Sequence, residues 1–370
     1  MDSKINLTLH NWRIFEHQDF VLPDNSFAII DQNGSGKTSI LAALYTVLTK
    51  KSWPGTKFMS NLKLESEYFG ISTEFANWSF SGQIGPSGRL LTKYNRPEGE
   101  IIFLGETMVY GKNWPKVLTY LPTDNYWLAL PRSQKLSVLD NLLGQIFDKK
   151  YQASLTLLQK NVESLNKLIR YENETNIKSD FILIETLQNN ILENSKIIWQ
   201  FRQKFLKFLE DNLAEFTTWI NTPLKNWKVI WQIALDSHKV NFNLNSNLEL
   251  KPVEHDYLWN LQLKTGKVLI GAQRDDFWIQ SNHLLATEIL SRGEMRLLVL
   301  FIKSLATKNQ LIDDGLPIWW LLDDIFNELD DQREQILYSQ ILANSNKIIA
   351  TSTKNSLVNL DKYSIDSLTI

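Results

Sequence analysis

The sequence predicts an α/β fold: a largely parallel, helix-covered sheet interrupted by an inserted helical segment. Three observations predict it. Apolar runs without alternation, "SFAII" (26–30), "LPIWWLLDD" (316–324) and "KIIATST" (347–353), read as strands covered on both faces. Helical patterns separate them, as the crossovers of a parallel sheet require. Between residues 151 and 208 the period changes to heptad spacing.

The elements follow in order. "INLTLHNW" alternates as a half-buried strand, and "SFAII" feeds a glycine-rich loop. Ile40, Leu41, Leu44, Val47 and Leu48 then fall on one helical face, ending before the basic Pro/Gly loop "KKSWPGTK". Residues 68–130 read as short strands and turns, "GEIIFLGETMVYGK" among them. Tyr151, Leu155, Leu158, Val162, Leu165 and Ile169 form one heptad series. After "YENETNIKSD" a second comprises Ile184, Leu187, Ile191, Asn194, Ile198, Phe201, Phe205 and Phe208. They read as an antiparallel hairpin with arms of about 30–40 Å at ~1.5 Å per residue and Asn194 in the seam, where it would fix register; two core helices of a bundle are the alternative. β-like patterning resumes after Asn221 with "WKVIWQIAL" and "KVNFNLNSNLEL", and "GKVLIGAQRDDFWI" reads as two strands around a turn. "SRGEMRLLVLFIKSLA" is helical.

Composition narrows the function classes. The 370 residues are 43% hydrophobic and 22% charged, ordinary for a globular protein. A net charge of -2 leaves nucleic-acid binding to a local patch. No cysteine is present, which excludes disulfides and thiolate metal sites. The N-terminus lacks a signal-peptide core and no apolar run approaches a membrane span, so the expectation is a cytoplasmic protein.

Three segments carry chemistry. "DQNGSGKTS" (31–39) ends as a Walker A loop does. Asn33, Gly34, Ser35 and Gly36 supply a backbone nest for phosphate, Lys37 the cation and Thr38 a hydroxyl for Mg²⁺. Asp31, however, stands where that pattern asks for glycine. A carboxylate about 6 Å from a phosphate charge costs roughly 2–3 kcal/mol at an effective dielectric near 20. If it turns away to accept backbone N–H groups, the cost is small. Asp31→Gly is therefore expected to tighten ATP binding.

The second segment is "WWLLDDIFNELDDQRE", whose apolar strand ends in Asp323 and Asp324. A carboxylate at that strand edge is where a Walker B aspartate holds Mg²⁺, with Asp324 placed to orient the attacking water. Third is "LSRGEMRLL", where Ser291, Arg292 and Gly293 precede a helix and form another anion-binding N-terminus.

"NGSGKTS", "LSRGE" and "LLDDIFNELDDQR", in this order and at these separations, resemble the RecF family of recombination mediator ATPases. "NWRIFEH" is similar to the family's N-terminal Asn-Phe-Arg stretch, which puts Arg13 where relatives touch the nucleotide, and Ser39 completes the loop. "LPRSQKLSVLDNLL" resembles an arginine-rich segment of which Arg132 and Lys135 are kept, and "GAQRDDFWI" a Gly-Pro-His-Arg-Asp-Asp block with Ala272 and Gln273 substituted. "ATSTK" stands in the late switch-strand position, while "KKSWPGTK" and "LPTDN" depart from the family pattern.

The resemblance implies an ABC-type P-loop ATPase head with an inserted lobe carrying a short antiparallel helical hairpin. Residues 1–135 and 226–370 would form the head and 136–225 the insert. It implies ATP and Mg²⁺ as cofactors and an ATP-dependent homodimer. Lys37, Thr38 and Asp323 of one copy would face Ser291 and Gly293 of the other. DNA, double-stranded or gapped, would be the partner, with RecR- or RecO-like mediators, and slow hydrolysis would release it. Lys149, Lys150, Lys160, Lys167 and Arg170, against Asp148 and Glu163, offer a DNA surface or an ordinary solvated helix face. Two other readings stand beside this one. A non-hydrolysing scaffold would keep the fold but lose turnover through Asp31; an ABC transporter subunit would normally carry Leu-Ser-Gly-Gly-Gln and an Asp-Glu pair.

Overall fold

The computed structural model describes residues 4–75, 78–84, 90–96, 99–103, 115–147, 149–220, 224–233, 252–308, 317–325, 335–336, 347–353 and 366–369. Residues 104–112 of "GEIIFLGETMVYGK", residues 234–235 of "WKVIWQIAL", "KVNFNLNSNLEL", residues 326–334 of the acidic segment, Asp148 and Lys354 lie outside these. In chain order the strands and helices are β1 (Lys4–Trp12), β2 (Phe15–Pro23), β3 (Phe27–Ile30), α1 (Lys37–Thr49), β4 (Phe69–Phe75) and β5 (Trp78–Ile84). Next come β6 (Leu90–Arg96), β7 (Gly99–Phe103), β8 (Lys116–Tyr120), α2 (Arg132–Ile146), α3 (Lys149–Thr175), α4 (Phe181–Ile220) and β9 (Trp227–Gln232). The last are α5 (Pro252–Thr265), β10 (Asp276–Ser281), β11 (Leu284–Leu285), α6 (Ala286–Ile289), α7 (Arg292–Leu305), β12 (Ile318–Leu322), β13 (Lys347–Ser352) and β14 (Asp366–Leu368).

They fall into two compact units, residues 1–124 with 314–370, and residues 125–313. This grouping differs from boundaries at 135/136 and 225/226: residues 125–135 and 226–313 cluster with the inserted helices. The reason is packing, since β9 lies against α4, and α7 against the same helix.

In the first unit a five-stranded sheet has the order β14-β3-β13-β12-β8, and every pairing in it is parallel. A second sheet, antiparallel, has the order β2-β1-β4-β5-β6-β7. Helix α1 contacts β8 and β13 of the first and β4 and β5 of the second. Ala42, Ala43, Tyr45 and Thr46 are consequently buried along with the predicted apolar face. The sequence pattern suggested one covered face; a helix between two sheets is covered all round. Each fully buried Ile or Leu of α1 contributes about 1.5–3 kcal/mol.

In the second unit α3 and α4 form the expected antiparallel hairpin, joined by residues 176–180 with Asn176 at φ 57°. The arms are unequal. Helix α3 has 27 residues and α4 has 40, so α4 is about 60 Å long at ~1.5 Å per residue. It extends because Leu209, Leu213, Phe216 and Trp219 carry the buried stripe beyond Phe208.

In the seam of α4 the predicted Ile184, Ile191, Ile198 and Phe205 are buried, and the alternate positions fall one residue later than predicted. Buried positions are Ile184, Gln188, Ile191, Ser195, Ile198, Arg202 and Phe205, whereas Leu187, Asn194, Phe201 and Phe208 are half-buried. Asn194 does not set register across the hairpin; its amide donates to Asn190 O one turn back on its own helix. The buried polar residues are Gln188, Ser195 and Arg202, a ladder at heptad spacing. Gln188 bonds His255 of α5, and Ser195 Oγ accepts Ala272 N–H at 2.9 Å. Arg202 donates to both oxygens of Asp140, to Asp275 Oδ2 at 2.7 Å and to Ala272 O at 2.7 Å. Burial alone would lower the Arg202 pKa, but Asp140, Tyr151 and Asp275 together raise it. Of the two strands expected in "GKVLIGAQRDDFWI" only β10 forms; residues 267–275 run as an extended segment and a short 3₁₀ turn. That segment takes its hydrogen bonds from side chains of α3 and α4, as in Val268 N–H to Asn166 Oδ1.

Candidate functional site

Strand β3 delivers the chain into the glycine-rich loop at Asp31, whose N–H still bonds Ser352 O of β13 at 3.3 Å. Gly34 and Gly36 take φ of 85° and 105°, the left-handed region in which a side chain is strained. At Gly36 there is also no room: a Cβ would sit 2.3 Å from the Phe15 ring and 2.8 Å from Ile14. Gly36 begins α1, and its carbonyl accepts Ser39 and Ile40 N–H. The first turn of a helix leaves backbone N–H groups without intrahelical partners, so this end favours an anion. Trp12, fully buried, donates its indole N–H to Ser39 O at 2.8 Å and so ties β1 to that turn.

Lys37 is buried, and its Nζ donates to Asp31 O at 2.7 Å and Gln32 O at 2.6 Å. The Asp31 carboxylate is engaged with its own backbone, Oδ1 accepting Gln32 N–H at 2.6 Å. Of the two arrangements considered for Asp31, this is the less costly one. Asn33 and Gly34 are exposed at the loop tip, and the buried Ser35 Oγ has no hydrogen-bond partner among the described residues.

Strand β12 lies beside β13, which lies beside β3, and the C-terminal ends of all three face the loop side. Their parallel order brings together residues far apart in sequence. Thr38 Oγ donates to Asp323 Oδ1 at 2.8 Å, and Thr351 Oγ donates to the same oxygen at 2.9 Å. Asp324 N–H in turn donates to Thr351 Oγ at 2.9 Å, and Asp323 N–H to Tyr120 O at 2.9 Å. Asp324 has φ 49°, and its buried Oδ1 has no hydrogen-bond partner among the described residues. Burial raises the Asp323 pKa, helped by Asp324 and opposed by the two threonine hydroxyls and Arg13. Arg13 has its pKa lowered by burial and supported by the charge of Asp323.

The donor set suits both groups that the motifs imply. Two oxygens 2.8 Å apart, one hydroxyl and one carboxylate, suit a hard cation. Among the described residues no group of three or more His, Cys, Asp or Glu is placed to hold a metal ion. Mg²⁺ commonly takes one or two protein ligands and completes its shell with water and phosphate. For a triphosphate, the loop offers two left-handed glycines, an orphaned serine hydroxyl and a lysine held at its base.

The structure thus brings together Arg13, Asp31, the 33–39 loop, Asp323 and Asp324. Ser291, Arg292 and Gly293 belong to the other unit. There Ser291 caps α7, its Oγ accepting Glu294 N–H at 3.3 Å while Glu294 accepts Ser291 N–H at 2.8 Å. Ser291 and Arg292 are exposed at that helix start. Sequence reading missed Thr351 as the bridge between the acids, having marked "ATSTK" only as a strand. It also missed Asn61, fully buried, which bonds Arg13. Neither has a local signature.

No helix among the described residues is long and apolar enough to cross a membrane. The AAA domain family matches residues 6–213, more than half of the chain. The DNA replication and repair protein RecF of Chloroherpeton thalassium is 25% identical over 380 residues, covering 98% of each chain. That of Bacillus mycoides is 24% identical, covering 94% of this chain and 91% of its own. The solved structure of the recombination mediator protein RecF-ATP in the RecFOR pathway superposes with a TM-score of 0.76 at 22% identity, over 96% of this chain and 94% of that one. That likeness shows the fold, an α/β architecture shared over nearly the whole chain. With its family model matched over residues 6–213, the chain belongs to the AAA domain family, and over nearly its whole length it is similar to the RecF proteins.

Proposed function

We propose that this protein binds ATP with Mg²⁺ at the 31–39 loop and acts as an ATP-dependent DNA-binding protein of replication and repair. The observation that carries the reading is the Thr38–Asp323 hydrogen bond at 2.8 Å, between residues 285 positions apart. In this reading Lys37 leaves the carbonyls of Asp31 and Gln32 for the β- and γ-phosphates, and the Ser35 hydroxyl and loop N–H groups cradle them. Thr38 and Asp323 hold Mg²⁺, which supplies charge neutralisation at the phosphates when bound. The Asp324 Oδ1, without a partner among the described residues, would orient the attacking water.

The exposed Ser291-Arg292-Gly293 helix start would receive the γ-phosphate of a second copy, joining two heads around two nucleotides. Ser291 Oγ already accepts from its own helix, but its hydroxyl proton is free to donate outward. DNA contact would rest on phosphate charge along the first arm, with RecR- or RecO-like mediators as partners and the cytoplasm as location. Lys160, Lys167 and Arg170 are exposed there, though Lys167 is paired with Glu163 at 2.8 Å. Titration with a labelled ATP analogue, followed by phosphate release with and without gapped DNA, tests the proposal. Binding with slow release, faster on DNA, is expected. Binding without release selects the scaffold reading, and absence of binding overturns the nucleotide site.

A further inference from the structure

The "KKSWPGTK" loop and the residues after it were left without a role by the motifs, yet they hold a side chain of the site. Asn61 is fully buried. Its carbonyl accepts Arg13 N–H at 2.7 Å and its Oδ1 accepts Arg13 Nε–H at 2.8 Å. Its Nδ2 donates to Ser52 Oγ at 3.2 Å, and Ser52 Oγ shares a hydrogen bond with Thr56 Oγ at 2.9 Å. Because Arg13 has only donors, the amide of Asn61 must present its oxygen, and Ser52 fixes that orientation from the other end. The backbone is clamped as well: Lys63 N–H bonds Asn11 O at 2.9 Å, and Trp12 bridges to Leu62.

What this clamp holds is strained. Asn11 and Arg13 both have positive φ, 48° and 50°, around the buried Trp12. An arginine there is disfavoured unless its surroundings impose it, and such residues gather at functional sites. The next residue but one, Phe15, lies against Gly36. Only the Nε of Arg13 is committed; among the described residues its Nη groups have no acceptor. Burial lowers the Arg13 pKa and the charge of Asp323 opposes that.

We infer that Asn61 is a positioning residue, holding the Arg13 guanidinium by Nε so that its Nη groups meet the phosphates of a nucleotide seated on the Lys37–Thr38 loop. This rests on the nucleotide reading above. It assigns the divergent 50–64 segment a task that its composition does not announce: aligning a cation before ligand arrives, so that binding does not have to order it.

The test is a double-mutant cycle read by binding of a labelled ATP analogue to the full chain. Arg13→Ala and Asn61→Ala are each expected to weaken binding about 10-fold, as for loss of a charge-assisted hydrogen bond. The double variant should be within about 2-fold of Arg13→Ala alone, because Asn61 acts only through Arg13. A merely structural role would make the losses multiply to about 100-fold, and that result, or unchanged binding by Asn61→Ala, overturns the inference. Unchanged binding by Arg13→Ala overturns it too, while leaving the Lys37 site standing. Retained binding by Lys37→Ala would instead bring down the nucleotide reading itself. Should Asn61→Ala fail to fold, Ser52→Ala, half-exposed, carries the cycle: a loss of about 3-fold with Arg13 present and none without it.

Discussion

Replacing Asp31 by asparagine separates its charge from its backbone role. The asparagine oxygen can still accept Gln32 N–H, the bond that Asp31 Oδ1 makes at 2.6 Å, so loop geometry is kept and only the charge is lost. Asp31 is half-exposed, so water raises the effective dielectric above the buried value. At about 6 Å from a phosphate charge and a dielectric of about 40–80, the repulsion is about 1 kcal/mol. Asp31→Asn should therefore bind a labelled ATP analogue about 5-fold more tightly at low salt. The gain should fade toward about 1 M salt, where the Debye length is about 3 Å. Asp31→Gly loses the same charge but also the Gln32 bond, and glycine adds about 0.5–1 kcal/mol of chain entropy. Its net gain should be smaller, about 1–3-fold. Fluorescence anisotropy at two salt concentrations measures all three proteins. Weaker binding by Asp31→Asn would refute the reasoning, since the carboxylate would then be assisting Lys37 or the metal. A gain by Asp31→Gly far above that of Asp31→Asn would mean that the side chain obstructs by bulk.

Three further outcomes are expected. Arg202→Ala strips a fully buried cation from Asp140 and Asp275 and should cost about 3–5 kcal/mol in urea unfolding; a loss below about 1 kcal/mol would contradict the network's role. Thr351→Val removes the hydroxyl joining Asp323 to Asp324 N–H, so ATP turnover should fall about 10-fold or more with nucleotide affinity nearly kept. Thr351→Ser should restore it; if serine fails to, the hydroxyl is not the relevant group. Burial lowers Lys347, at 3% exposure, to a pKa of about 8 from 10.5, with Asp24 opposing. A lysine depressed in the fold binds fewer protons there than in the unfolded chain between those values, so stability should rise with pH from about 8 to 10.5. Below about 8 both states are protonated and the penalty is fully present. Unfolding of Lys347→Met across that range should lack this rise relative to the parent protein; parallel profiles would exclude Lys347 as the source.

The elements nearest the loop were legible because their signals are local. "SFAII", the two glycines and Lys37–Thr38 lie within thirteen residues, and apolar continuity, positive φ and a helix start need no distant partner. The hairpin was legible as a period and in half of its frame, Ile184, Ile191, Ile198 and Phe205, but not at the alternate positions. Pattern reading assigns polar residues to the surface, and α4 buries Gln188, Ser195 and Arg202 in its seam because α2, α5 and the 271–276 segment supply their partners. For the same reason "GKVLI" looked like a strand: Val268, Leu269 and Ile270 are buried, but their backbone is satisfied by side chains instead of a ladder.

By itself, then, the amino-acid order determined the α/β class, the glycine-rich loop with its helix start and the acidic strand end, each written in a few consecutive residues. Only the tertiary structure decided that β13 lies between β3 and β12, and with that the meeting of Thr38, Thr351 and Asp323 on one carboxylate oxygen. It also decided that the Asp31 carboxylate turns to its own backbone and that Asn61 holds Arg13. The physical reason is range: sterics and hydrogen bonds between neighbours act along the chain, whereas strand order and the burial of polar groups are settled by contacts across it.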